Sequence, residues 1–383
     1  MRVAVLTNIL SPYRVPLFNA VAQRLDGELL VLCAAQTEPL RLWEQQPSAA
    51  RFRWHVLPGV HRAWMVDEWH LHLNWGLGRS LRDFEPDLIV VGGYDQPVYW
   101  QGLLFARRRR IPVALWYESW EGSAQRRRGI VFALKRAFVR RTSVGIAFGS
   151  RAAAWLRQIH GGEFPVVLSL NTVDMEFFRH HAERFRRSPE FLAQRALYPE
   201  LLLLSVGSLI PRKNVRLLLE ALHRLSDPTV GLLVVGTGPQ EKELRGLCRQ
   251  LGLEGRVVFA GFRQQWELPQ YYGLADVLVL PSLREVWGLV VNEALATGLY
   301  VLCSTAVGAA YDLVRPGWNG ELFAPTAMEE LVELLSCLRT RLPELRARRE
   351  AISAHACREF SIERAAEGFL EGIHEAWRRA RRG

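Results

Sequence analysis

The sequence predicts an α/β protein built on two doubly wound parallel sheets. Three observations carry that prediction. Short β-rich apolar runs alternate with longer amphipathic stretches along the chain. The runs are apolar at nearly every position, as in strands buried on both faces of a parallel sheet. The 383 residues also exceed a single core, at about 100–200 residues per domain.

In chain order, residues 2–8, 28–35, 87–94, 112–119 and 144–150 read as strands of the first sheet. Residues 201–209, 231–238, 256–261, 276–282 and 300–305 read as strands of the second. Between them, 215–225 and 241–253 have apolar residues at helical spacing. Residues 171–191 form a polar stretch that reads as helix-poor. The expected division is a first domain over 1–170 and a second over 171–360. The tail 361–383 reads as a charged terminal helix with Ser361 as its cap. Open α/β sheets bind ligands outside the carboxyl ends of their strands. Two facing domains of this kind predict a cleft between them.

Composition narrows the function. The chain is 49% hydrophobic and 23% charged, which excludes wholesale disorder and collagen. No apolar run reaches the roughly 18–20 residues that cross a bilayer, and the first residues read as a buried strand, not a leader. The five cysteines are scattered and form no CxxC pair, so a reducing cytoplasm is expected. The net charge is +10, of which +8 lies before His181. A basic first half points to an anionic partner: nucleic acid, a membrane surface or a phosphorylated substrate. Of 49 basic residues only Lys135, Lys213 and Lys242 are lysines.

Two segments of the second half carry chemistry. In Val206-Gly207-Ser208-Leu209-Ile210-Pro211-Arg212-Lys213-Asn214, Gly207 allows a sharp turn after a strand, and a helix follows. A helix start exposes unbonded N–H groups, and Arg212 and Lys213 stand beside them, which makes an anion site. Arginine forks onto phosphate oxygens while lysine acts as a point charge. A solvated basic turn is the plain alternative. The second segment runs from Pro281 to Ala294. Glu285 falls in a loop after a strand, and Glu293 falls eight positions on, in a helix. Eight residues at about 100° each bring the two side chains within about 80° of one direction. Both carboxylates are therefore expected to address one cleft. The N–H groups near Trp287, Gly288 and Leu289 would bind an anion between them. Two surface glutamates flanking a helix start are the alternative.

Other signals are weaker. Gly236 and Gly238 begin a dinucleotide fingerprint, but Glu241 replaces its third glycine. These glycines are expected to let main chain approach a nucleotide or turn tightly. From Arg126 to Arg141 the sequence reads as a basic amphipathic helix. Val131, Leu134 and Phe138, with Ile130, form its apolar face, and Arg128, Lys135, Arg136, Arg140 and Arg141 occupy much of the rest. Such a helix reads as an element at an anionic inner-membrane surface, or as a solvated helix packing its apolar face on the sheet. Five tryptophans and His55, His61, His70 and His72 crowd residues 43–75. His70-x-His72 lacks a third ligand at convincing spacing, so aromatic packing or an acceptor surface is expected there and no metal.

With those residues in view, the chain resembles the retaining glycosyltransferases of family 4, of bacterial surface-polysaccharide and glycolipid type, which have the GT-B fold. Glu285 to Glu293 is similar to that family's E-x7-E motif, with its aromatic-Gly-Leu centre. VGSLIPRKN resembles its strand–loop with a phosphate-binding lysine. Asn171-Thr172-Val173-Asp174 is similar to the family's crossover, and Thr305–Ala309 and Asn319-Gly320 to its small-residue loop and turn. The tail resembles the helix that packs back on the amino-terminal domain.

The resemblance implies a role for each residue. Lys213 and Arg212 would neutralise the diphosphate of a nucleotide-sugar, in place of a metal. Glu285 would hydrogen-bond sugar hydroxyls and Glu293 the ribose. Main chain at Val286, Trp287, Gly288, Leu289 and Val290 would hold phosphate or sugar, beside Gly207 and Ser208. Phe262 and Arg263 would frame the base. No cofactor is implied beyond the donor. The first domain would bind a glycan or lipid-linked acceptor and complete the donor site on closure. The enzyme would be cytoplasmic and peripheral on the inner membrane. The chain departs from the family in three places. Ser208 stands where arginine is usual, the loop Thr7–Tyr13 lacks a glycine pair, and no histidine is identifiable in the first half of the cleft. Tyr94, Asp95 and Glu118 lie at strand ends there instead and would face the acceptor. Other readings are separable. A sugar-nucleotide epimerase would need no acceptor, and a phosphorylase would need inorganic phosphate and usually pyridoxal. A nucleic-acid-binding protein would show steep salt dependence, but no nucleic-acid motif is present.

Overall fold

The computed structural model describes residues 1–38, 44, 47–64, 69–124 and 127–382. They form two compact units. Met1–Asn171 and the segment from Ile362 onward make the first, and Thr172–Ser361 the second.

The first unit is built on β1 (Arg2–Thr7), β2 (Glu28–Cys33), β3 (Arg53–Val56), a separate hairpin of β4 (Gly59–Trp64) and β5 (Trp69–Asn74), β6 (Leu88–Val91), β7 (Val113–Tyr117), β8 (Val144–Ala147) and β9 (Val166–Leu168). Its parallel sheet runs β3-β2-β1-β6-β7-β8-β9. The central strands are buried along their length, which is why they read as continuous apolar runs. β3 and β9 escaped the sequence reading because edge strands need no such run. Arg53 is exposed, and β9 is half-buried or exposed throughout.

The second unit contains β10 (Leu201–Val206), β11 (Val230–Val235), β12 (Val257–Gly261), β13 (Val277–Leu280), β14 (Tyr300–Ser304) and β15 (Gly320–Phe323). All pairs are parallel, in the order β12-β11-β10-β13-β14-β15. The helix Val215–Leu225 falls where its spacing places it and buries Val215, Leu217, Leu218, Leu219, Ala221 and Leu222.

Two expectations are corrected. The stretch after Asn171 is not helix-poor: it holds the helices Met175–Arg186 and Pro189–Arg195. Asp174 caps the first by accepting from the Phe177 N–H at 2.9 Å. Met175, Phe178 and Ala182 give a buried face at helical spacing that the polar background obscured. The Arg186 guanidinium at the end of this helix donates to the main chain of Gly273 and Thr297. Burial lowers its pKa to about 9.

The second correction concerns the basic helix, which spans Gly129–Val139; Arg126 lies outside the described residues. Its faces are the reverse of the expected ones at four positions. Ile130, Val131 and Leu134 are exposed, at 78%, 36% and 52%, while Lys135 is buried at 2%. Phe138 is buried as expected and meets Trp100 of the neighbouring helix Pro97–Arg109 edge-on, at 4.9 Å.

The terminal helix, Ile362–Ala380, packs on β8, β9 and the helix Arg14–Arg24 of the first unit. Two glycines permit the close approach. A Cβ on Gly368 would lie 2.0 Å from the Leu168 carbonyl oxygen, and one on Gly372 would lie 2.4 Å from Ile146. The Ser169 hydroxyl donates to the Ala365 carbonyl at 2.8 Å. Among the described residues, no helix is long and apolar enough to cross a membrane.

Candidate active site

Strand order locates the sites. In the second sheet, successive strands run outward from β10 on one side and from β13 on the other, so the order reverses between those two neighbours. That switch point leaves a crevice at the carboxyl ends of β10 and β13, the usual place for a ligand in an open α/β sheet. The chain leaving β10 carries Gly207 to Lys213, and the chain leaving β13 carries Pro281 to Glu285.

Gly207 has φ +142°, and Gly236 of the next loop φ +140°. A Cβ on Gly236 would stand 1.9 Å from the Gly207 carbonyl oxygen. The glycines after β11 thus serve close approach of main chain to main chain, and Leu209 donates its N–H to Thr237 at 3.0 Å. The turn Pro211–Lys213 then aims two cations at the crevice. Lys213 Nζ donates to Glu285 Oε2, and Arg212 donates to the same oxygen at 3.0 Å. Burial pushes the Glu285 carboxyl up, but Lys213 and Arg212 outweigh it, and its pKa falls below the ordinary carboxylate value. The result is a mostly buried group of two positive charges and one negative charge.

Main chain fixes Glu285 in place. Its N–H donates to Ala306 at 2.9 Å, its carbonyl accepts from Gly308 at 3.3 Å, and the Trp287 carbonyl accepts from Ala309 at 3.0 Å. The loop 305–309 after β14 therefore braces the Glu285 loop. Gly288, at φ +98°, ends that loop, and the helix Leu289–Ala296 begins. Its first-turn N–H groups, at Leu289 and Val290, follow the half-buried loop residues Val286 and Gly288. Ser208 is half-buried in the opposite loop.

Glu293 behaves differently from the expectation. Only Glu293 stands on the helix, because Glu285 precedes the Gly288 turn, so helical angles do not relate the two carboxylates. Glu293 is 1% exposed and accepts from the Tyr272 hydroxyl at 2.5 Å. Trp287 is buried, and its indole N–H donates to Asn292 at 3.0 Å. Tyr272 and Asn292 escaped the sequence reading, since neither belongs to a recognisable motif. Phe262 and Arg263 follow the end of β12, half-buried, and Arg263 lies over the Tyr271 ring at 5.4 Å.

The first sheet reverses between β1 and β6. There Asn8 follows β1, Tyr94 and Asp95 follow β6, and Glu118 follows β7 beside them. The Tyr99 hydroxyl donates to Asn8 at 2.6 Å. Asp95 and Glu118 reach solvent. Desolvation is still the main influence on Asp95 and raises its pKa, with its own main chain and Gln96 holding it back. Gln96 ties this loop to β5: it donates to Asp95 at 3.3 Å and to the His70 carbonyl at 2.7 Å, and accepts from the His72 N–H at 2.9 Å. His72 in turn meets His61 at 3.0 Å and Glu38 at 3.4 Å. Among the described residues, no group of three or more His, Cys, Asp or Glu side chains gathers to hold a metal.

Lys135 also reaches this edge. Its ammonium lies over the rings of Tyr94, Tyr117 and Trp155 at 5.0, 5.3 and 5.4 Å. Burial lowers its pKa to about 8, against the opposing charge of Asp95. The rarity of lysine was the one signal in the sequence that singled it out.

A switch-point crevice lined by paired cations belongs to the class of Rossmann-like sites whose carboxyl edge suits an anionic ligand. Comparison with known proteins narrows that class. Residues 190–352 match the family described as glycosyl transferases group 1. A glycosyltransferase of Methanocaldococcus jannaschii is 35% identical over 122 residues, 32% of this chain and 31% of that protein. The sulfoquinovosyl transferase of Arabidopsis thaliana is 34% identical over 197 residues, 50% of this chain and 35% of that protein. A lipopolysaccharide core biosynthesis glycosyltransferase of Rhizobium meliloti is 36% identical over 149 residues, 37% and 42% of the two chains. The matched stretches thus span less than half the length of these relatives. Among solved structures, Anabaena HepE in complex with UDP has TM-score 0.77 at 20% identity, covering 98% of this chain and 100% of that one. Sucrose-phosphate synthase of Thermosynechococcus elongatus has TM-score 0.72 at 19% identity, covering 98% and 99%. The chain has the GT-B fold of such glycosyltransferases, with a Rossmann-like parallel sheet in each unit.

Proposed function

We propose that this protein is a retaining hexosyltransferase of the family 4 type. It moves a sugar from a nucleoside diphosphate sugar to a glycan or lipid-linked acceptor, without a metal ion, in the cytoplasm and peripheral to the inner membrane. The observation that carries the reading is the convergence of Lys213, Arg212 and Glu285 at the switch point of the second sheet, inside the stretch that matches the group 1 family.

In this reading Lys213 and Arg212 hold the diphosphate. As the bond from sugar C1 to the phosphate oxygen breaks, they stabilise the charge that develops on that oxygen. The acceptor oxygen bonds to C1 on the same face, and its proton passes to the leaving phosphate. Glu285 orients the two cations and accepts hydrogen bonds from sugar hydroxyls, so catalysis rests on orientation and preformed charge. Gly207, Ser208 and the Trp287–Val290 main chain line the phosphate and sugar. Phe262 and Arg263 frame the base, and Glu293 lies at the ribose end. Tyr94, Asp95 and Glu118 face the acceptor.

Thermal stability against UDP, GDP, ADP, CMP and NAD, with and without magnesium, tests the donor site. UDP comes first because HepE is solved with it. A ligand at ten times its dissociation constant stabilises by about 1.4 kcal/mol, a shift of a degree or more. The expected result is a shift with one nucleoside diphosphate, independent of magnesium and lost in Lys213→Ala. A shift with NAD alone, or an undiminished shift in Lys213→Ala, refutes the assignment.

A further inference from the structure

Three buried polar side chains run from the Glu285 loop to the point where the chain enters the second unit. Trp287, Asn292 and Thr172 are 5%, 0% and 5% exposed. The Trp287 indole donates to Asn292 Oδ1 at 3.0 Å, Asn292 Nδ2 donates to the Thr172 hydroxyl at 3.4 Å, and that hydroxyl donates to the Phe360 carbonyl. The Val173 carbonyl, at 3.3 Å, is its second acceptor. The direction of this chain of bonds is forced. An indole N–H only donates, so the Asn292 oxygen must face it. The Asn292 amide nitrogen then faces Thr172, whose own hydrogen is left for a carbonyl. A buried polar network satisfied in one direction specifies a single geometry.

The partners are remote in sequence and stand at the junctions of the fold. Thr172 is 120 positions from Asn292 and 188 from Phe360. The chain passes from the first unit to the second between Asn171 and Thr172, and returns between Ser361 and Ile362. Thr172 and Phe360 therefore lie on the second-unit side of both junctions, and Asn292 lies in the helix that starts from the Glu285 loop. Apolar side chains would pack the same space without the cost of burying polar groups. What the polar chain adds is a fixed register between loop and junctions. We propose that Asn292 and Thr172 are positioning residues of the donor site. Through Trp287 they set the loop that holds Glu285, and through Phe360 they couple that loop to both junctions. Such coupling is reciprocal: a nucleoside diphosphate held at the loop steadies the junctions, and steady junctions favour the loop that binds it. The proposal rests on the donor-site reading for its ligand, but the coupling itself is tested without one.

The experiment is hydrogen–deuterium exchange of the full chain, read at main-chain bonds of the two regions. In the loop these are Glu285 N–H to Ala306 and Ala309 N–H to Trp287, and at the junctions Asn171 N–H to Phe148 and Phe360 N–H to Ala356. Without nucleotide, Thr172→Val keeps the shape, removes the hydroxyl and should speed loop exchange at least about tenfold. Thr172→Ser, which keeps the hydroxyl, should leave it near wild type. Trp287→Phe removes the indole N–H and should speed junction exchange, and the double variant with Thr172→Val should add little to either single change. Loop exchange unaltered by Thr172→Val overturns the proposal, as do strictly additive effects. Equal acceleration in β10 also overturns it, since that marks a general loss of stability. UDP should slow exchange at loop and junctions in wild type, and at the loop alone in Thr172→Val. Slowing at the junctions that persists in Thr172→Val refutes the coupling. UDP without effect at the loop refutes the donor-site reading alone, because the variants decide the coupling.

Discussion

Replacing Lys135 with methionine should stabilise the protein at neutral pH and remove one specific pH dependence. The lysine is 2% exposed, and burial lowers its pKa from 10.5 to about 8, against the pull of Asp95. At 1.36 kcal/mol per pKa unit, keeping the ammonium charged at pH 7 costs about 3 kcal/mol. The rings at 5.0, 5.3 and 5.4 Å offset about 1–2 kcal/mol of that. Methionine fills similar volume against the same rings, so Lys135→Met gains about 1–2 kcal/mol at pH 7. The sign of the pH dependence follows from the depressed value. Between about pH 8 and pH 10 the unfolded chain binds more protons here than the folded one, so stability rises with pH. Wild type should therefore gain on the variant by about 1–2 kcal/mol across that window, the cost that the rings leave uncompensated. Urea denaturation of both proteins at pH 7 and pH 10 measures the difference. Parallel pH profiles would refute a buried, charged Lys135.

The remaining predictions concern the cation cluster and the two cores. Lys213→Ala and Arg212→Ala should each lower sugar transfer about 10- to 1,000-fold with melting temperature retained. Near-wild-type turnover removes the residue from the site. Glu285 has a lowered pKa, so its pairing is present above the ordinary carboxylate range and is lost as pH falls through the folded value. A pH titration should show Lys213-dependent nucleotide binding changing there and not near neutrality. Asp276 is 1% exposed at its side chain, pairs with Arg195, Arg346 and Arg349 at 3.1, 2.8 and 2.7 Å, and accepts from Leu202. Asp276→Ala leaves those guanidinium groups without their shared partner and should cost about 3–5 kcal/mol, read by denaturant unfolding. Gly368→Val puts a branched side chain against main chain at Leu168 and should destabilise the first unit by at least about 1–3 kcal/mol, read by its melting temperature.

The fold was legible because a parallel sheet buries both faces of its central strands. Each run such as Leu201–Val206 announces itself by having no polar interruption except Ser205. Strands without that constraint were invisible. β15 opens with glycine and has its two middle positions, Glu321 and Leu322, half-buried, so no continuous run marks it. The paired cations and Glu285 were legible because motif residues sit in the loops that the strand order brings together. The environment of Glu293 was not. Its partner Tyr272 lies twenty-one positions earlier on another helix, and no local pattern encodes that pairing. Lys135 shows the opposite failure. Charge marked it as a surface residue, but the rings that take it in are distant in sequence, and tertiary packing overrode the local periodicity.

The two ends of the first unit are contributed at opposite ends of the chain. Topologically the second unit is an insertion, entered after Asn171 and left before Ile362. During synthesis the residues up to Asn171 emerge first and wait for their last helix until the whole second unit has been made. Phe369 and Ile373 of that helix are buried, against a surface the nascent chain must leave uncovered in the meantime. The second unit, contiguous from Thr172 to Ser361, can close as soon as it emerges. A truncation that removes only Ile362–Ala380 therefore takes its last helix from the unit that Met1–Asn171 begins, and leaves the contiguous second unit whole.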